Sequence, residues 1–365
     1  MINRLIFLLV FLVLYILSSC EHCQCLLSLI TIYRHGARSP IRLYKNDPYI
    51  NMSKELWPEG LGQLTNLGKM QQYQLGQWLR SNYKHFIPEN YDRSFIQVHS
   101  SNKDRCLMSA ATNLAGLFPP KRDQIWNKKL QWQPAPIHTL PESQDAILAI
   151  GKPCPRFAKL LEDFMRNFPL HQNFLHETQH MQEYIEKNVG AEMSLDDLKS
   201  FHDTLFVERS MGLTLPKWTH KVFPERTIQY ITYSFVLPTY TPQLARLMAG
   251  PLINKITDFF ENVLADPANN PKYLMLSAHD KTMIYLLNAL EIYDNVWVEY
   301  ASAINFELYS CREKTFINVK FKNSTGHISL TIKHCENDCE FERFKKITTH
   351  LRINPQAWSN ECHNG

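Results

Sequence analysis

The sequence predicts an α/β fold, a mostly parallel sheet flanked by helices, with a helical lobe inserted into it. Three observations carry this expectation. Short apolar, β-rich runs alternate with helical patterns, the arrangement that builds parallel sheets. Three of those runs end in unusual charged turns: Arg34-His35-Gly36-Ala37-Arg38, Ser100-Ser101-Asn102-Lys103-Asp104-Arg105 and Ser277-Ala278-His279-Asp280. Between 146 and 234, strand-like runs become few while helical patterns and charge density rise.

The elements follow in order. Arg4 precedes the unbroken apolar run Leu5–Leu17, and the small residues Ser18 and Cys20 stand just before Glu21. Residues 1–20 therefore read as a secretory signal peptide. Thirteen apolar residues fall short of the roughly 20 that span a bilayer. No stable membrane span is expected, and the mature protein is expected to be secreted or lumenal. Leu26–Tyr33 is the first strand, and Thr65 to Tyr83 reads as a helix with Leu67, Leu75, Trp78 and Leu79 on its core face. Phe95–His99 is the second strand, leading into a helix that stops at Leu117 before Pro119-Pro120. A long helix, Thr241–Leu264, feeds the third strand, Tyr273–Leu276, which is followed by a helix to Leu290. The expected organisation is an α/β domain from 21–145 and 235–365, with 146–234 as a helical cap domain.

Composition narrows the function. The chain has 365 residues, 44% of them hydrophobic and 20% charged, as in ordinary globular proteins. Its net charge of +4 comes with no Lys/Arg-rich block, so nucleic acid is not an expected partner. Nine cysteines fit an oxidising compartment. Asn51-Met-Ser53 and Asn323-Ser-Thr325 are glycosylation sequons that agree with export. Cys335 and Cys339 bound a loop short enough to close on itself, and an N-terminal zinc site on His22 and its neighbouring cysteines lacks finger spacing.

Ligands of such sheets bind at the carboxyl ends of the strands, where the three charged turns lie. Arg34 and Arg38 flank His35, and guanidinium forks suit phosphate oxygens. A neutral imidazole between them is placed to attack phosphorus. Arg105, opening a helix, offers a third clamp. His279 could bind the transferring group, and Asp280 could protonate the leaving oxygen. Taken singly, each residue is more ordinarily a surface ion pair or a hydrogen-bonded histidine. The convergence of three strand ends is what raises them together.

The chain resembles the histidine acid phosphatases, the prostatic and lysosomal acid phosphatase group. The carrying segments are YRHGARSP (33–40), WPEGLGQLTNLG (57–68), DRCLMSAATNLAGLFPP (104–120), WQPAPIHTLP (132–141), CPRF (154–157), SAHDKT (277–282) and YASAINFELY (300–309). The resemblance spans nearly the whole mature chain and weakens through 170–260. It implies a fold of the histidine phosphatase, phosphoglycerate mutase-like type with a helical cap, in a secreted or lysosomal protein. It also implies acid hydrolysis of small-molecule or protein phosphate monoesters, with no metal or other cofactor, and a homodimer. His35 would form a phosphohistidine, Arg34, Arg38, Arg105 and His279 would bind the phosphate, and Asp280 would donate the proton. Cys154 would pair with Cys362, and Cys335 with Cys339, leaving Cys106 and Cys311 as buried free thiols.

Two departures from the family pattern matter. His99 replaces an arginine, so a peripheral charge becomes titratable near pH 6.5. Lys281 follows Asp280 where threonine is usual; at a helix start it is expected to point to solvent, whereas an ammonium close to Asp280 would favour the carboxylate. Competing readings are a catalytically retired, exported binder of a phosphorylated ligand, and a zinc protease built on His176-Glu177-Thr178-Gln179-His180. The second is weakened by Glu183 and Glu186, which occupy the places of an extended zinc motif's glycine and third histidine. Gly60-Leu61-Gly62 lacks the third glycine and the preceding strand of a dinucleotide fingerprint.

Overall fold

A computed structural model describes residues 25–149, 151–294, 297–335 and 338–364; the predicted signal peptide, its cleavage point, His22 and Cys23 lie outside them. Strand β1 (Cys25–Arg34) is the centre of the sheet. Strands β2 (Ile96–Ser100) and β3 (Tyr273–Ala278) lie on one side of it in the order β2-β3-β1, all parallel. On the other side β4 (Ala303–Cys311), β5 (Lys314–Asn323) and β6 (Gly326–Leu330) continue antiparallel, with β7 (Cys339–Glu340) beside β5. The strand–turn–helix pattern describes the parallel side only. On the antiparallel side β4, β5 and β6 are joined by tight turns, and that side carries none of the predicted catalytic or phosphate-binding residues.

Alternation along β1 explains why both faces of the sheet are covered. Ile30 and Ile32 point to one face, where they join Leu274, Leu276 and Phe306 in a core shared with the helices α7 (Pro242–Ala265) and α8 (Asp280–Ala289). Leu29 and Tyr33 point to the other, against α1 (Asn66–Asn82) and α2 (Asp104–Leu117). Helix α1 starts where Thr65 accepts a hydrogen bond from the Gly68 amide, an N-cap of ordinary kind. Its buried face is Gly68, Gln72, Leu75, Gly76 and Leu79. Leu67 is 54% exposed and so does not belong to the core face expected for it. It sits one position before Gly68, on the side turned away from the sheet, because Gly68 and Gln72 take the inward stripe. Trp78 packs at the edge of the core.

Between 155 and 236 lie four helices and no strand: α3 (Pro155–Asn167), α4 (Pro169–Val189), α5 (Leu195–Ser210) and α6 (Glu225–Val236). They hold a core of their own, including Met181, Ile185, Phe201, Leu205 and Tyr230, into which Tyr44 inserts from the loop after β1. Beside Tyr44, Glu208 of α5 is fully buried against Asp47 of that loop. Burial raises the pKa of both, and Asp47 raises that of Glu208 further, so Glu208 is the carboxyl that keeps a proton. A disulfide joins Cys154, just before α3, to Cys362 in the last helix, α9 (Pro355–Asn364), and a second closes Cys335 to Cys339. Cys106 is a buried free thiol, whereas Cys311 is only half-buried at the end of β4. Among the described residues no helix is long and apolar enough to cross a membrane.

Candidate active site

Register brings the three charged turns to one edge. Arg34 pairs with Ala278, and Ser100 with Ser277, so β1, β2 and β3 end together. Backbone bonds then lock the turns: the His35 amide donates to the Ala278 carbonyl at 3.1 Å, and the Ser101 amide to the Ser277 carbonyl at 3.0 Å. Gly36 is required by close packing rather than by an unusual φ. A Cβ there would lie 2.2 Å from the Gly68 carbonyl oxygen, where the first turn of α1 meets the loop.

His35 is 2% exposed, and its Nδ1 donates to the Gly36 carbonyl at 2.8 Å. A carbonyl only accepts, so this bond assigns the proton to Nδ1 and leaves a lone pair on Nε2. Burial first, then the charges of Arg105, Arg34, His279 and Arg38, hold the His35 pKa well below its usual value. Arg38 makes a two-pronged ion pair with Asp203 of α5, at 2.8 and 2.9 Å. Arg105 lies in the first turn of α2, its own pKa lowered chiefly by burial. His279 Nε2 lies 2.9 Å from Ser101 Oγ and within 3.6 Å of the Cys106 sulfur.

Asp280 is the N-terminal residue of α8. Its Oδ1 accepts from the Lys281 amide at 2.7 Å, and its Oδ2 lies 2.9 Å from Arg34 Nη2. Burial alone would raise its pKa; Arg34 and then Arg38 outweigh that and bring it down to about 2. Arg34 is held on three sides. It donates to the Val298 carbonyl at 2.6 Å, pairs with Asp280, and stacks its guanidinium 4.0 Å from the Tyr300 ring centre.

His35, Arg38, Arg105, His279 and Asp280 line one cavity of about 300 Å³. Arg34 sits behind them, bonded to Asp280. Asp196, Lys199 and Asp203 of α5 form the facing wall. The sequence reading missed Asp203, Tyr300 and Trp297, which carry no motif of their own; Tyr300 lay inside a matched block without a role. Two expectations are corrected. Lys281 does not point away to solvent: it lines the cavity, because the first turn of α8 faces α5. His99 does not titrate near pH 6.5: burial, then Lys255 and His138, lower its pKa to about 4, and it stays neutral beside the His138 ring. His176 and His180 are exposed on α4, far from forming an enclosed site, and Asn51 is exposed while Asn323 is half-buried in the β5–β6 turn.

The family model of the histidine phosphatase superfamily (branch 2) matches residues 26–322. Bovine (Bos taurus) prostatic acid phosphatase is 35% identical over 344 residues, covering 91% of this chain and 86% of its own. Lysosomal acid phosphatase of Rattus norvegicus is 36% identical over 339 residues, covering 91% and 78%. Among solved structures, Hafnia alvei phytase in complex with myo-inositol hexakis sulphate superposes with a TM-score of 0.68 at 15% identity, covering 91% of this chain and 98% of its own. At that identity the likeness concerns the fold alone.

Proposed function

Since the chain belongs to the histidine phosphatase superfamily, branch 2, and is a phosphatase, we propose that it hydrolyses phosphate monoesters at acidic pH through a phosphohistidine on His35. The observation that carries this is the state of His35. An ordinary histidine is mostly protonated at pH 5, but burial and its ring of cations keep this imidazole neutral there, with Nε2 free to attack.

Arg38, Arg105 and His279 hold the phosphoryl oxygens; the two guanidinium charges and the hydrogen-bonding imidazole, whose pKa burial and Arg105 hold well below its usual value, stabilise the transition state without a metal ion. Asp280 is a carboxylate in the free site, so its proton has to arrive with the substrate. Near pH 5 a phosphate monoester is a monoanion, its second pKa being about 6. As its oxygens meet the guanidinium groups, that proton passes to Asp280 Oδ2, and Arg34 is released to join the clamp. The N–P bond then forms as the P–O bond breaks, and Asp280 protonates the departing oxygen. In the second half, Asp280 takes a proton from water as it attacks the phosphohistidine. The acid optimum follows: above pH 6 the ester brings no proton. Residues 146–234, which carry α3–α5 and most of α6, act as the cap domain on the α/β domain of 21–145 and 235–365.

Relatives named lysosomal and prostatic support a lumenal or secreted location, with Asn51 and Asn323 glycosylated. Exposed Ile125, Trp126, Trp132 and Leu140 support a homodimer. The test is hydrolysis of 4-nitrophenyl phosphate from pH 4 to 8, with and without chelator, beside His35→Ala. Expected is chelator-resistant acidic turnover that falls by roughly 10⁴-fold or more in the variant. Activity that survives the substitution would overturn the phosphohistidine; a wild type that binds phosphate without turnover would favour the retired binder.

A further inference from the structure

We infer that the cavity mouth holds a second anion-binding position, between Lys281 of α8 and Lys199 of α5, that takes a phosphate on the leaving group, so that the preferred substrate is a small bisphosphate. This rests on the phosphatase reading and specifies its substrate class.

The two lysines come from different parts of the fold onto the same cavity that exposes His35. Lys199 pairs with Asp196 at 2.8 Å, and among the described residues no carboxylate lies at ion-pair distance from the Lys281 ammonium. The other acids nearby are already engaged: Asp280 by Arg34, Asp203 by Arg38, and Asp197 by Arg42. One carboxylate, Asp196, thus faces two ammonium groups, and the mouth carries an unbalanced positive charge. Partial burial and the charge of Lys199 both disfavour the ammonium form of Lys281, and the opposite charge of an incoming anion offsets them. Ile41, Ile231, Phe235 and Trp297 also line the cavity, beside Arg42 and Ser200, and give an apolar surface for the carbon chain that joins the two phosphates.

The experiment compares kcat/KM for 1,4-butanediol bisphosphate and butyl phosphate at pH 5 in the wild type, Lys281→Met, Lys199→Met and Lys281→Arg. The expected wild-type ratio is about tenfold or more in favour of the bisphosphate, the factor a single added charge contact of 1.4 kcal/mol confers. The ratio should fall towards one in each methionine variant and persist in Lys281→Arg. Because it is a ratio within one protein, a general loss of folded enzyme does not move it. A wild-type ratio near one, or a preference that survives both methionine substitutions, overturns the second site and leaves the phosphatase reading standing. A wild type that turns over neither ester overturns both.

Discussion

The floor of the cavity and its facing wall are built by different means. The floor residues follow the ends of three parallel strands, where backbone hydrogen bonds from the His35 and Ser101 amides tie the turns together. Their positions follow from sheet register, which leaves little freedom. The wall residues Asp196, Lys199 and Asp203 share one face of α5, the latter two half-buried, and their places depend on how that helix packs through Phe201 and Leu205 against its neighbours. The same contrast shows in two carboxyls. Asp280, beside Arg34 on the floor, is held ionised with a pKa of about 2. Glu208, on α5 beside Asp47 and with no cation against it, is held protonated by burial. Charge on the floor is fixed by partners; charge on the wall is set by what packing leaves exposed.

If the floor does the chemistry and the wall tunes it, substitutions should rank accordingly. The largest effect is expected on the floor, where Arg105→Ala should fold normally and lose roughly 10²–10³ in turnover, as for other preorganised donors to a developing charge. Turnover of 4-nitrophenyl phosphate near wild type would remove Arg105 from the clamp and make Arg38 and His279 sufficient. On the wall, Asp203→Ala leaves Arg38 without its two-pronged partner. A guanidinium that drifts by about an ångström should cost up to about 10²-fold in kcat/KM. Asp203→Asn, which keeps one acceptor, should lose less. A loss in Asp203→Ala larger than in Arg105→Ala would break the comparison, because α5 would then take part in the chemistry itself.

The contrast also explains what was legible in the sequence. Arg34, His35, Arg38, Arg105, His279 and Asp280 announce themselves because a short strand followed at once by charge is a local pattern, and three such patterns imply one edge. Asp203 has no local signature: an aspartate in a polar helix is ordinary until α5 is packed over Arg38. Lys281 was misplaced for the same reason. A helix start is normally solvated, but here the opposite surface is another helix rather than water. His99 was read by its intrinsic pKa, and the half-burial against His138 that lowers it is a long-range contact. The antiparallel strands β4–β7 left little trace because tight hairpins carry no intervening helix to mark them.

The smallest effect is expected where wall and loop meet, at Glu208 and Asp47. Both carboxyls have raised pKa values in the folded state, so the folded protein holds a proton that the unfolded chain releases above its ordinary carboxyl range. Stability contributed by that proton is therefore present in acid and is lost as pH rises. The wild type should show a higher Tm at pH 5 than at pH 8, by a few degrees for each kcal/mol involved. Glu208→Gln keeps the shape and a hydrogen-bond donor to Asp47 without the titrating proton, so it should shrink that difference. The quantity to measure is the change in Tm between the two pH values, variant against wild type, since other groups titrate in both proteins alike. An identical pH dependence in the two would mean that the pair does not hold its proton, and that α5 is anchored to the loop by Tyr44 and its apolar neighbours alone. A reduced dependence would make the attachment of the wall, unlike the floor, a property of acidic surroundings.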